Sequence, residues 1–321
     1  MTSLSTDSPT LVDQASRPGV EEPAIRRRRP FSRENIVKIL FVLPAGLYLV
    51  LYFGYPVVKN VTMSLQDYST KTFFTGEAPW VGFNNYLTVF NSALFGPALL
   101  NTALFTIGSI LGQFVIGLAL ASFFKRRFPL NNFLRAMLLL PWLLPLIVAS
   151  ATWRSILDQD SGILNQFLGS FGVPAVPWLT SPAVALIAVI MVNVWVGIPF
   201  NVTILYGGLQ DIPDELYEAG ALDGATGWKA FRYITWPNLR PVVSVVLVLG
   251  VVYTLKVLDI ILGLTNGGPA NATQTIAVRS YQESFVNFQF GVGAAFSNIL
   301  IVISLVFAIV YLRANRRAVD E

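Results

Sequence analysis

Between Pro182 and Gly207 the chain carries no charged side chain. A helix rises about 1.5 Å per residue, so this stretch is long enough to cross the roughly 30 Å hydrocarbon core of a bilayer. Inside lipid, every backbone N–H and C=O has to be bonded within the protein, which leaves helices and closed barrels as spanning folds. Five more stretches have the same apolar length: roughly 37–58, 99–124, 133–153, 241–264 and 291–312. The expectation is an all-α polytopic membrane protein with six transmembrane helices. Composition agrees, with 12% charged residues against about 25% in soluble domains. Pro141 and Pro145 interrupt the third span, which membrane helices tolerate where neighbours satisfy the freed carbonyls.

Lysine and arginine placement sets the orientation. With six spans, both termini share one side with the 125–135 and 208–240 segments. Of 22 Lys and Arg, seventeen fall on that side and four (Lys59, Lys71, Arg154 and Arg279) on the other, with Lys256 inside a span. Positive loops stay in the cytoplasm, so both termini and the 208–240 loop are expected there. The Arg26–Arg29 run, just ahead of the first span, reads as a topogenic charge rather than a nucleic-acid contact. The first apolar run is too long for a signal peptide and is followed by no small-residue cleavage site, so it reads as a retained span. The expected organisation is a disordered basic tail at 1–35, a six-helix membrane domain at 36–315 and a short cytoplasmic tail at 316–321.

The chain contains no Cys and no His. Thiolate and imidazole catalysis and zinc sites are therefore excluded in this polypeptide. No Gly-x-x-x-x-Gly-Lys-Ser/Thr sequence is present, so no P-loop holds a nucleotide. No catalytic residue, metal or cofactor is expected in this polypeptide.

The 208–240 loop is an acidic interruption in an apolar chain. Pro213, Asp214 and Glu215 suit a first helical turn. Gly224 permits a bend, and a second short helix is expected from Thr226 to a stop before Pro237. Glu218, Ala219, Gly220, Asp223 and Gly224, followed by Ile234 and Pro237, resemble the signature loop of ABC importer permeases. The usual second Ala is Gly220 here, and the Leu before the Pro is Trp236, which suggests a partner groove cut to fit a larger ring. Leu264–Pro269 resembles the outer-loop motif of carbohydrate permeases. Val81–Tyr86 and Asn101-Thr102 resemble the family's motifs around its second core span.

The resemblance covers about residues 36–315 and points to the maltose and glycerol-phosphate branch. It implies a type I importer architecture in the bacterial cytoplasmic membrane and alternating access driven through the Glu218–Pro237 loop. It also implies partners: a second homologous permease subunit, two ATPase subunits that bind ATP and Mg²⁺, and an extracytoplasmic solute-binding protein. An ion-driven secondary transporter is the rival reading, and would need buried acids in its spans.

Polar and aromatic residues inside spans are the candidates for a solute site: Trp142, Asn193, Gly197, Phe200, Tyr253, Thr254, Lys256 and Asp259. Rings offer flat apolar surface to sugar C–H faces, and Asn reads hydroxyls. Asn193, Gly197 and Phe200 share one helix face. The same residue types also serve helix packing, and Gly108-x-x-x-Gly112 with Gly117 reads as packing alone. Lys256 and Asp259, three apart, suit an ion pair, a gate or a solute contact. A free Lys256 would favour a phosphate-bearing polyol and a paired one a neutral sugar. In maltose-type permeases the sugar-contact positions correspond to Trp142, Leu146, Asn193, Val196, Gly197, Phe200, Gly250, Tyr253, Thr254 and Val257.

Overall fold

The computed structural model describes residues 33–126 and 128–319. Arg17, the Arg26–Arg29 run, Arg127 and most of the basic N-terminal tail lie outside those residues. The described residues are helices and loops, with one isolated antiparallel bridge between Gln66 and Trp80. Five helices are long and apolar enough to cross a bilayer: Val37–Ser64, Phe95–Phe124, Pro182–Gln210, Trp228–Leu255 and Phe290–Tyr311. Asn131–Leu143 and Leu146–Ile156 make a sixth span if taken together, bent by 98° at the break between them.

The chain divides into two compact units, ending and beginning at Tyr55 and Pro56. The first holds the Arg33–Leu49 helix and a π-helical turn, Val50–Gly54. Its apolar side chains are largely exposed, as suits a segment solvated by lipid. All further description concerns the second unit.

The bend in the third span has a local cause. Proline disfavours the helical conformation in the residue before it. Leu144, before Pro145, is extended (φ −75°, ψ 136°), and the helix restarts at Leu146. Two expectations from sequence need correction. The fifth span is not one helix over 241–264. It ends at Leu255, passes through non-helical Leu258 (φ −124°, ψ −51°), and restarts as Asp259–Leu264. The second helix of the 208–240 loop does not stop before Pro237. It continues through a π-helical turn, Phe231–Thr235, into Trp236–Leu255. Pro237 falls in the first turn of that helix, where a missing N–H is tolerated, and Asn238 Nδ2 donates to the Ile234 carbonyl (2.7 Å).

The Phe95–Phe124 and Pro182–Gln210 helices form the most intimate pair. Its cause is the glycine stripe. A Cβ built at Gly108 would lie 3.1 Å from Ile190 Cδ1, at Gly112 2.7 Å from Val194 Cγ2, and at Gly117 2.7 Å from Asn201 Cβ. Gly197 reciprocates, since a Cβ there would overlap the Gln113 carboxamide. Small residues let membrane helices approach this closely.

Buried apolar residues gather in separate clusters along this pair. One contains Phe105, Val189, Val192, Ile260, Ile261 and Leu264. Another contains Ala121, Val202, Leu205, Leu209, Leu239 and Val243. The segment just after the outer-loop motif is laced to the second core span: Asn101 Nδ2 donates to the carbonyls of Asn271 (3.1 Å) and Gln274 (3.2 Å), and Thr102 Oγ1 accepts from Ile276 N (2.9 Å). In the 81–86 motif, Asn85 Nδ2 donates to the carbonyls of Ser64 and Gln66, both at 2.9 Å.

Candidate functional site

Along the Pro182–Gln210 helix the two clusters leave a gap from Asn193 to Phe200, and a cleft of about 600 Å³ opens there. Its walls are three helices and the two breaks. Trp142, Leu144 and Leu146 come from the bent span, Gly250 to Ile260 from the interrupted fifth, and Gln113 from the Phe95–Phe124 helix. All eight residues expected from sequence as solute contacts line this one cleft, as do Leu146, Val196, Gly250 and Val257.

The aromatic wall is continuous. The Trp142 and Phe200 rings lie 6.3 Å apart, and the Phe200 and Tyr253 rings 6.0 Å apart and near perpendicular. Asn193 is 4% exposed, and its Nδ2 has no hydrogen-bond partner. A buried orphan donor costs free energy unless something fills its valence. Gln113, which sequence reasoning passed over, is 7% exposed and donates Nε2 to the Asn193 carbonyl (3.0 Å). It could have been found by the rule that selected Asn193: it is an amide in the middle of an apolar span.

The suggested ion pair between Lys256 and Asp259 is not formed. The helix ends between them, so the one-face spacing of a continuous helix does not apply. Both side chains are exposed in the cleft wall, and Lys256 Nζ lies over the Tyr253 ring, 4.9 Å from its centroid.

The 214–237 segment is the second candidate region. Asp214–Leu222 is helical, and Gly224 turns the chain with φ +75°. Tyr217 and Thr235 hydroxyls meet at 3.0 Å across the turn, and Ala225 N donates to the Gly220 carbonyl (2.7 Å). Gly220 is needed for this closure, because a Cβ there would lie 2.5 Å from Ile234 Cδ1. Gly220 and Ile234 thus pack on each other, while Glu218, Ala219, Asp223, Gly224 and Pro237 are exposed. Leu222 is 91% exposed, with Trp228 and Tyr233 also turned outward. Trp236 instead packs within its own chain, against the Leu205–Leu239 cluster and 6.3 Å from the Phe231 ring.

Residues 113–320 match the family described as binding-protein-dependent transport system inner membrane component. The chain belongs to that family. The permease is also 35% identical over 285 residues to the trehalose/maltose transport system permease protein MalF of Thermococcus litoralis, covering 88% of this chain and 95% of that one. It is 30% identical to the diacetylchitobiose uptake system permease protein DasB of Streptomyces coelicolor, covering 89% of each. It is 31% identical to the sulfoquinovosyl glycerol transport system permease protein SmoG of Agrobacterium fabrum, covering 88% and 91%. Among solved structures, it shares the fold of a bacterial ABC transporter involved in the import of alginate. The TM-score is 0.77 at 22% identity, with 88% of this chain and 96% of that chain covered. The permease is therefore a multi-pass inner-membrane subunit of an ABC transporter and not itself an enzyme.

Proposed function

We propose that this permease forms one membrane half of an ATP-driven importer for a sugar or sugar-like solute, with the cleft as its solute site. The observation that carries the reading is the convergence, on one cleft between two apolar clusters, of the Trp142–Phe200–Tyr253 rings and the unpartnered Asn193 Nδ2. Its volume, about 600 Å³, falls within the roughly 300–1,000 Å³ usual for small-molecule sites. Rings and amides together suit a polyhydroxylated ligand, and relatives named for trehalose/maltose and diacetylchitobiose transport support that class.

In this reading a second permease closes the cleft from its open side, and a solute-binding protein delivers the solute outside. Two separate ATPase subunits bind ATP and Mg²⁺ and dock on the exposed Asp214–Leu222 helix and the turn at Gly224, with Leu222, Trp228 and Tyr233 as apolar contacts. The lysine and arginine distribution supports cytoplasmic termini. A second substrate reading, a solute with an anionic group, is favoured by Lys256, which lines the cleft without an ion pair.

The test is uptake by the assembled complex carrying Asn193→Ala or Trp142→Ala. Uptake is expected to fall at least tenfold with the amount of assembled complex unchanged. Loss of complex in proportion to uptake would make these residues packing elements. Lys256→Gln separates the two substrate readings, impairing transport of anionic solutes more than neutral ones if the second is right.

A further inference from the structure

A larger cavity lies apart from the cleft, where the Phe95–Phe124 helix ends and the Asn131–Leu138 helix begins. Its volume is about 1080 Å³, and its walls include Lys125, Arg126, Asn131, Tyr206, Gln210 and Asp214. The cations here are held by rings rather than carboxylates. Lys125 Nζ lies 4.2 Å from the centroid of Tyr217, is buried, and donates no hydrogen bond. The Arg135 guanidinium stacks over Tyr206 at 4.3 Å. Its Nη2 donates to Asn132 Oδ1 (2.7 Å), while its buried Nε finds no acceptor. Asn131 fixes the connecting turn, its Nδ2 donating to the carbonyls of Phe124 (2.8 Å) and Arg126 (2.7 Å). No described carboxylate forms an ion pair with Lys125, Arg126 or Arg135.

A ring holds a cation in place without neutralising it, so Lys125 keeps its positive charge and an unfilled donor beside the exposed Arg126, while Arg135 lies outside the lining and reaches it only through Tyr206. A buried cationic donor without an acceptor is costly unless a ligand supplies one. The rim is of opposite character: Leu130 and Phe133, both strongly exposed, border the cations. The cavity sits at the end of the Phe95–Phe124 span. A ligand that is anionic at one end and apolar at the other fits both parts, whereas a free anion leaves the apolar rim unused. Basic pockets at span ends are suited to phosphate headgroups.

We propose that this cavity binds the headgroup of an anionic phospholipid, with Lys125 and Arg126 supplying the positive wall for the phosphate and Leu130 and Phe133 against the acyl chains. The inference stands independently of the solute site.

The test uses the full-length permease in its assembled complex, stripped of lipid. It is titrated with phosphatidylglycerol, phosphatidylcholine or inorganic phosphate, and retained lipid is counted by native mass spectrometry. Phosphatidylglycerol is expected to be retained at least tenfold better than phosphatidylcholine. Lys125→Gln combined with Arg126→Gln should abolish the difference. Should that pair impair assembly, Arg126→Gln alone, at an exposed position, should still reduce it several-fold. Equal retention of the two lipids, or preference unchanged by the substitutions, overturns the proposal. Displacement of the lipid by millimolar phosphate would make this a soluble-anion site instead. Crosslinking of Arg126→Cys to the ATPase subunit, with no preference for phosphatidylglycerol, would make it a subunit interface.

Discussion

Gly197→Ala probes the joint between the two closest helices and the floor of the cleft at once. The new methyl would overlap the Gln113 carboxamide; even Oε1 would lie only 2.7 Å away. Gln113 is buried and tied to the Asn193 carbonyl at 3.0 Å. Relieving the overlap means moving that amide. The overpacking costs about 1–3 kcal/mol, and the lost hydrogen bond about 0.5–1.5 kcal/mol. Alanine returns about 1 kcal/mol of helix propensity over glycine. The net expectation is destabilisation by about 1–3 kcal/mol, read as a lower Tm of the purified complex. Gln113→Ala alone also destabilises, through a lost bond and a small cavity. In the double variant the methyl occupies the space the amide vacates, so the two costs do not add. The coupling should be at least about 1 kcal/mol, beyond the roughly 0.3–0.5 kcal/mol scatter of independent sites. Additive costs would refute the claim that Gly197 is small because of Gln113.

Other substitutions test other parts of the molecule. Glu218 is exposed and helical, so Glu218→Lys should change stability by less than about 0.5 kcal/mol while abolishing solute-stimulated ATPase and uptake; normal activity of that variant would sink the docking role. Asn165 ties its loop together, donating to the carbonyls of Gln159 and Val176 and accepting from Val176 N and Trp178 Nε1. Asn165→Ala should cost about 1–3 kcal/mol through orphaned partners, seen as a lower Tm and faster amide exchange at Val176. Asp158, beyond the Leu146–Ile156 helix, is held below the ordinary carboxylate value chiefly by the Ser161 hydroxyl and then by the Ser161 N–H. A depressed folded pKa contributes stability above the unfolded value, about 3.9, that is lost as pH falls through the folded one. Amide protection at Ser161 should therefore drop in that acid range, and Asp158→Asn should flatten the dependence.

The spans were legible because lipid leaves a chain few choices: apolar length alone locates them. Their interruptions were less so. Pro145 announces the break at Leu144 through a local steric rule. Nothing comparable announces Leu258, whose departure from helix follows from how Asp259–Leu264 packs; a Cβ on Gly263 would strike Ser150. The Lys256–Asp259 pair was misread for this reason, since three-residue spacing means adjacency only on an unbroken helix. Pro237 reads from sequence as a stop, yet the helix runs on past it, because the π-helical turn before it leaves no residue signature. The cleft residues stood out as polar or aromatic among aliphatics. Gln113 met the same criterion, but the Gly108–Gly112 pattern beside it drew attention to packing. In the structure the two belong together, for the glycines bring the helices close enough for Gln113 to reach Asn193.

The two interruptions also meet each other. The segments that follow them, Leu146–Ile156 and Asp259–Leu264, pack together at Gly263 and Ser150. The breaks themselves, at Leu144 and at Lys256–Leu258, line the cleft. The unbroken Pro182–Gln210 helix runs past both like a mast. The chain is thus jointed at the level where a solute would rest, and a guest in the cleft would press on the articulations themselves.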